Sequence, residues 1–450
     1  MRPIQSYSAK KVLTVLGMLV LAAIVMSRPA QAQNDKFRVL HTFHGRNGAF
    51  PGGSLVRDAA GNFYGTTIFG GKGCTYLTVG CGTAFKLDKS GKQVWVHTFS
   101  GSNGSTPYAG LLLEKEGDHL YGTTYQGGDT QCDTNGCGTV FKLDKDGRES
   151  LLYAFKGHPG DGSGPEALLI EDSEGNLYGT TTMGGESDLG TVFRVGVARK
   201  ETILYNFKGP VGGGGDGAYP VAGVISDAAG NLYGGTGAGG GGGKGVVFEV
   251  EKSGNETLLY SFSGGLDGAG PGEVLLMDLT GNLYGTTQDG GYAVCGYHCG
   301  SVYELSPQGG WKETTLYTFC SLSNCEDGEE PMRGPLVRDK HGNLYGTTNV
   351  GGKYTCTTNG LGCGVVFKLN SSGKETVIYN FTGGADGAFP FSGLTLDSAG
   401  NLYGTATQGG DLKCAQGNGQ GCGTVFEITL SKSTPTARRK LVQPALSAQN

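Results

Sequence analysis

The chain has 450 residues, of which 86 are glycine and 15 proline, and it carries 35 basic against 40 acidic side chains. That much glycine and proline points towards low complexity, but a net charge of −5 with 37% hydrophobic residues is not the balance of a disordered chain. Without a basic excess to meet phosphates, no nucleic-acid partner is expected.

The first element in chain order is a secretory signal over residues 1–32. Arg2, Lys10 and Lys11 form a positive start, Val12 to Met26 is an apolar run of 15 residues, and Ala30-Gln31-Ala32 offers a small-residue cleavage site. The run is shorter than the roughly 20 residues of a spanning helix. Nothing after residue 36 is apolar for long enough to cross a bilayer, so no membrane insertion is expected after cleavage. The expected location is secreted or periplasmic, where cysteines pair.

The next apolar segment, Phe37 to Phe43, is the first of seven LYxF-like strings, the others ending at Phe99, Phe155, Phe207, Phe262, Phe319 and Phe381. A second string, GNLYGTT or a close variant, begins at Gly61, Asp118, Gly175, Gly230, Gly281, Gly342 and Gly400. The intervals are 57, 57, 55, 51, 61 and 58 residues. A GTVF-like string and an apolar run after a proline keep the same order in every copy. Each unit thus holds four short segments: a (LVLD-like), b (NLYGTT), c (GTVFKL) and d (ETLLYSF). They alternate with period two, as in Leu258-Leu259-Tyr260-Ser261-Phe262, and are rich in β-branched and aromatic residues. DxxGN turns join a to b, and SGKE-like turns join c to d.

Four antiparallel strands repeated radially predict an all-β, seven-bladed β-propeller over residues 33–430. The chain opens on a d strand and its last repeat ends on a c strand, Gly423 to Leu430. The N-terminal strand is therefore expected to close the last blade and remove an unpaired edge. Residues 431–450 are expected to be a disordered basic tail.

The 12 cysteines fall as close pairs: Cys74/Cys81, Cys132/Cys137, Cys295/Cys299, Cys320/Cys325, Cys356/Cys363 and Cys414/Cys422. Five pairs lie in b–c loops and one in a d–a loop, which in a propeller share one face. Disulfides stiffening that face are expected. Cys295-Gly-Tyr-His298-Cys299 has a histidine between cysteines, but no second pair lies beside it, so no metal is expected. Nor is a cofactor, since no phosphate loop, paired-histidine motif or GxSxG string occurs. The b–c loops of blades 3 and 4 are the shortest and carry no cysteine, which predicts a notch in the face.

Each d–a loop carries Asp-Gly or Asn-Gly, read as turn chemistry. His41 and His97 occupy the slot that tyrosine fills in the other d strands and are read as structural. Strand a is expected to line the central channel. Residues after the repeat proline vary there, and Tyr108, Glu166, Glu273, Met332, Arg333 and Phe391 are the candidate binding residues.

The recurrent GNLYGTT…GG…GCGTVFKL…G.ETLLYSF…DG..P string resembles the Gloeo/Verruco ("GloVer") extracellular tandem repeat of bacterial secreted proteins, over residues 37–430. The resemblance implies secretion and brings no catalytic residues with it. Proteins of that family carry variable C-terminal anchors, whereas Ser431 to Asn450 has four basic residues and neither an apolar sorting helix nor a cysteine. The function expected is a monomeric, non-enzymatic scaffold that binds an extracellular glycan or protein through the stapled face. A channel-centred hydrolase or lyase of extracellular polysaccharide or peptide, or a structural cell-envelope component, are the alternatives.

Overall fold

The computed structural model describes residues 35–74, 77–129, 132, 135–209, 215–272, 274–291, 298–332, 334–356, 360–417 and 419–431. The signal at 1–32 and the tail beyond 431 lie outside the described residues.

Seven four-stranded antiparallel sheets follow one another along the chain. Blade 1 is typical: strand a is Val56–Arg57, b Phe63–Thr67, c Thr83–Leu87 and d Gln93–Thr98. Strand a is only two residues long in every blade. In blade 7, strands a (Thr395–Leu396), b (Leu402–Ala406) and c (Thr424–Thr429) are completed by Lys36–Thr42 as strand d. Phe37 pairs with Ile428, Val39 with Phe426 and Thr42 with Thr424. The two ends of the repeat array thus share one sheet, and the ring is closed by backbone hydrogen bonds rather than by a loop.

Strand d departs from strict alternation. A bulge falls just before the tyrosine or histidine of six d strands, at Leu40, Leu152, Leu204, Leu259, Leu316 and Ile378, and at Val94 in blade 1. An extra residue in a ladder turns the strand locally. Leu259 is therefore buried, whereas its neighbour Leu258 remains 36% exposed.

The core lies between blades. The phenylalanine ending each strand d packs edge-to-face on the strand c aromatic of the next blade: Phe99 on Phe141, Phe155 on Phe193, Phe207 on Phe248, Phe262 on Tyr303, Phe319 on Phe367, Phe381 on Phe426 and Phe43 on Phe85. Centroids are 4.9–5.2 Å apart in all seven. Full burial of such side chains contributes roughly 1.5–3 kcal/mol each, with about 1 kcal/mol more for the ring geometry. The last contact, Phe43 on Phe85, joins blade 7 to blade 1, so the aromatic ring closes where the sheet closes. Near the axis, threonines of strand b tie blades together: Thr66 Oγ1 donates to Ala109 O (2.6 Å) and Thr180 Oγ1 to Ala222 O (2.7 Å).

Candidate functional site

One face of the ring is a crown of paired loops. The d–a loop entering each blade bridges to that blade's b–c loop, as in Ala49 with Phe69, Ser105 with Gln126 and Ala388 with Gln408. In blades 3 and 4 the bridge extends into short ribbons, Gly162–Ser163 with Met183–Gly184 and Gly217–Ala218 with Ala238–Gly239. Disulfides Cys74–Cys81, Cys132–Cys137, Cys356–Cys363 and Cys414–Cys422 staple b–c loops, and Cys320–Cys325 staples a d–a loop. Cys299 is also disulfide-bonded, and Cys295 lies outside the described residues. Gly383 lies so close to Cys356 that a Cβ there would stand 2.4 Å from its sulfur. The staple of one loop therefore packs on the backbone of the next.

The channel is lined not by strand a itself but by the segment between the repeat proline and that strand. Gly52, Tyr108, Glu166, Val221 and Gly272 meet around a cavity of about 30 Å³. It is narrow because the segments of adjacent blades touch through their backbones. A Cβ on Gly53 would lie 2.3 Å from Gly110 N, and one on Gly334 only 1.8 Å from Gly393 N. Tyr108 and Glu166 thus share one small space, and Tyr108 also stands edge-on to Tyr125 at 5.6 Å. Met332 and Phe391, both half-buried, are not part of that lining. Glu273 and Arg333 lie outside the described residues.

The d–a aspartates do more than turn the chain. Tyr153 Oη donates to Asp161 (2.7 Å), Tyr317 Oη to Asp327 (2.7 Å) and Tyr379 Oη to Asp386 (2.9 Å), with Tyr205–Asp216 and Tyr260–Asp267 in the same relation. A glutamate in the first two residues of the next blade's strand d completes four of these seams: Glu201, Glu256, Glu313 and Glu375. Burial, and then the neighbouring aspartate, pushes Glu201 and Glu256 up to about 7 and Glu375 to about 8. Where the loop residue is asparagine, the strand residue is histidine. His41 Nδ1 faces Gly91 O at 3.2 Å while its Nε2 faces the Asn47 amide at 3.1 Å, and burial lowers its pKa. His97 Nε2 lies 3.1 Å from Glu149, which also accepts from Asn103. Both histidines are structural. His44 pairs with Asp411 (2.8 Å), His298 with Asp289 (2.9 Å), and His158 with Gly185 O (2.9 Å).

On the opposite face, the DxxGN turn builds a second recurrent unit. Asp278 accepts from the backbone of Thr280 and Asn282 and from Tyr284 Oη. Its partial burial opposes ionisation, but these donors prevail and hold it at about 2. Blade 2 solves the same turn with Glu114, His119 and Tyr121. Sequence reading recognised these aspartates only as turn residues; the tyrosine two positions after each asparagine was the signal for the closed hydrogen-bond unit.

These features define a seven-bladed β-propeller with a stapled loop crown. The chain belongs to the Gloeobacter/Verrucomicrobia repeat family, whose profile matches residues 28–215 and 213–416. No curated protein matches it. Among solved structures it is similar to virginiamycin B lyase from Staphylococcus aureus, with 11% identity and a TM-score of 0.53, covering 88% of this chain and 100% of that one. It is also similar to a fungal alcohol oxidase in complex with copper, with 12% identity and a TM-score of 0.51, covering 88% and 76%. At these identities the likeness is one of fold. Among the described residues, no helix is long and apolar enough to cross a membrane.

Proposed function

We propose that this protein is a secreted or periplasmic binding scaffold that recognises an extracellular glycan or protein through the disulfide-stapled crown. The observation that carries this reading is the division of labour between crown and axis. Recognition tends to sit on loops held by a rigid scaffold, and here every d–a loop is bridged to a b–c loop, with the b–c loops of blades 1, 2, 6 and 7 cross-linked as well. The axis, by contrast, is packed backbone against backbone, leaving about 30 Å³ with Glu166 as the carboxylate among the described lining residues. Hydrolytic or lytic chemistry at the axis would need several ionisable groups around a substrate-sized space.

The test is a glycan and envelope-fraction binding screen on the purified protein, repeated after mild reduction with circular dichroism as the check on the sheets. Binding that disappears on reduction while the sheets persist supports the crown. Binding indifferent to reduction, or turnover of a polysaccharide or peptide that Glu166→Gln abolishes, overturns this reading in favour of an axial site.

A further inference from the structure

The seven strand b tyrosines make an internal control. Tyr64, Tyr121, Tyr233, Tyr284, Tyr345 and Tyr403 are 2–7% exposed. Tyr178 alone is not buried. The difference traces to the second residue of strand a in the following blade. That slot holds Arg57, Leu113, Glu171, Met277, Arg338 and Leu396 in six blades, and Ser226 in blade 4. Arg57 lies over the Tyr403 ring at 5.5 Å and Arg338 over Tyr284 at 5.3 Å. Leu113 packs in the cluster of Tyr64, and Met277 in that of Tyr233. Serine is too short to reach Tyr178, and the seam between blades 3 and 4 opens into a cavity of about 450 Å³.

The space is within the usual range of a small-molecule site. Tyr178 and Leu204 give it an apolar floor. Arg194 pairs in register with Tyr178, and its buried Nε has no hydrogen-bond partner among the described residues. Glu171, Asp172, Glu174, Asp227 and Glu251 line it as acceptors, and Ser226 and Lys252 add donors. An anion would meet the surrounding carboxylates. A cation would meet Arg194 at the aromatic face. A neutral ring that presents C–H groups on one side and hydroxyls round its edge satisfies all of them, because C–H hydrogens suit the negative face of the phenol ring and hydroxyls both donate and accept.

We propose that the cleft between blades 3 and 4, on the face opposite the crown, is a binding site for a neutral sugar ring stacked on Tyr178. It is independent of the crown reading, since no cystine borders it.

The test titrates glucose, galactose, mannose, N-acetylglucosamine and their β-1,4-linked disaccharides into the intact protein. Calorimetry and saturation-transfer NMR provide the readouts. Ser226→Leu and Ser226→Arg rebuild the cover that other blades carry and add to a surface seam, so both are expected to fold with unchanged circular dichroism. The expected result is binding by at least one sugar that either variant weakens about tenfold or more, equivalent to about 1.4 kcal/mol, and that reduction does not change. Overturning results are a panel with no binder, a sugar whose affinity the covered variants lower by less, or a site that takes arginine amide in preference to sugars. A sugar that binds but is lost only on reduction overturns this site and leaves the crown reading standing.

Discussion

Phe37 lies flat on Tyr379, ring centroids 3.9 Å apart and planes within 8°. Phe37 belongs to the N-terminal strand and Tyr379 to strand d of blade 6, so the stack fastens the closing strand to the preceding blade as well as to its own sheet. Phe37 also meets Phe381 and Phe426 at 5.9 and 5.6 Å. It occupies the slot held by glutamate at five other seams. Phe37→Ala is expected to cost about 2–3 kcal/mol, read as a lower midpoint in urea unfolding. Phe37→Glu should cost a similar amount at pH 8 and less at pH 5, since the new carboxylate would sit beside Asp386. Equal losses for Phe37→Glu at the two pH values would show that the seam does not sense charge.

Stability should peak on the acid side of neutrality. Glu201, Glu256 and Glu375 bind protons more tightly in the folded chain, at about 7, 7 and 8, than in the unfolded one. The stability they contribute is complete below an ordinary glutamate value of about 4.3 and is lost as pH rises through 7–8. The turn aspartates Asp58, Asp172, Asp278, Asp339 and Asp397 are shifted downwards and behave oppositely, losing their contribution as pH falls below about 4. The melting temperature is therefore expected to be highest near pH 5 and to fall towards pH 8.5, by on the order of 1 kcal/mol per glutamate once partial solvent exposure is allowed for. Replacing all three by glutamine should flatten that fall. A wild-type melting temperature that rises from pH 5 to 8.5 contradicts the assignment.

The ring, the blade count and the closing strand were legible because each unit repeats its own local rules: DxxGN turns, apolar alternation and a proline before strand a. Five of the cysteine pairs were legible for the same reason, being close in sequence. What could not be read was whatever joins two units. Asp161 looks like a turn residue and Glu201 like a strand start, and only the ring shows that they share a seam. The exchange of Tyr–Asp for His–Asn at His41/Asn47 and His97/Asn103 was visible at repeat spacing, and its meaning needed the contact. Ser226 was overlooked because a short side chain in an exposed position is unremarkable until the other six blades show what that slot covers. Strand a is so short that the segment before it reaches the axis first, and Tyr108 and Glu166, chosen from the sequence for following the repeat proline, lie in that segment.

Glycine at the axis is a packing requirement. A Cβ on Gly334 would meet the Gly393 amide nitrogen, and one on Gly53 the Gly110 nitrogen. Backbone cannot move aside as the end of a side chain can. Gly334→Ala and Gly53→Ala are each expected to destabilise by about 1–3 kcal/mol or more through overpacking. Gly241→Ala, in a crown loop where the nearest atom to a Cβ is 3.9 Å away, should stay within about 0.5 kcal/mol of the parent. Chemical denaturation of the three variants separates the cases, and a neutral Gly334→Ala would show that the axis has room to relax.

The cystines should govern the crown without governing the ring. The bridges span sequence separations of 5 to 8 residues. Loops that small remove about 2–2.5 kcal/mol each of unfolded-state entropy at most, whereas the blades are held by the interlocked aromatic ring and by the sheet closure at Lys36–Thr42. Reduction is expected to leave the far-ultraviolet circular dichroism of the sheets intact at 25 °C and to lower the melting temperature. Local opening should come first where a staple packs on a neighbouring loop. Hydrogen exchange after reduction should therefore accelerate around Gly157, which packs on Cys137, and around Gly383, which packs on Cys356, before it accelerates in any strand c. Exchange rising uniformly through strands and crown together would mean that the staples hold the fold itself, and that crown and ring form one cooperative unit.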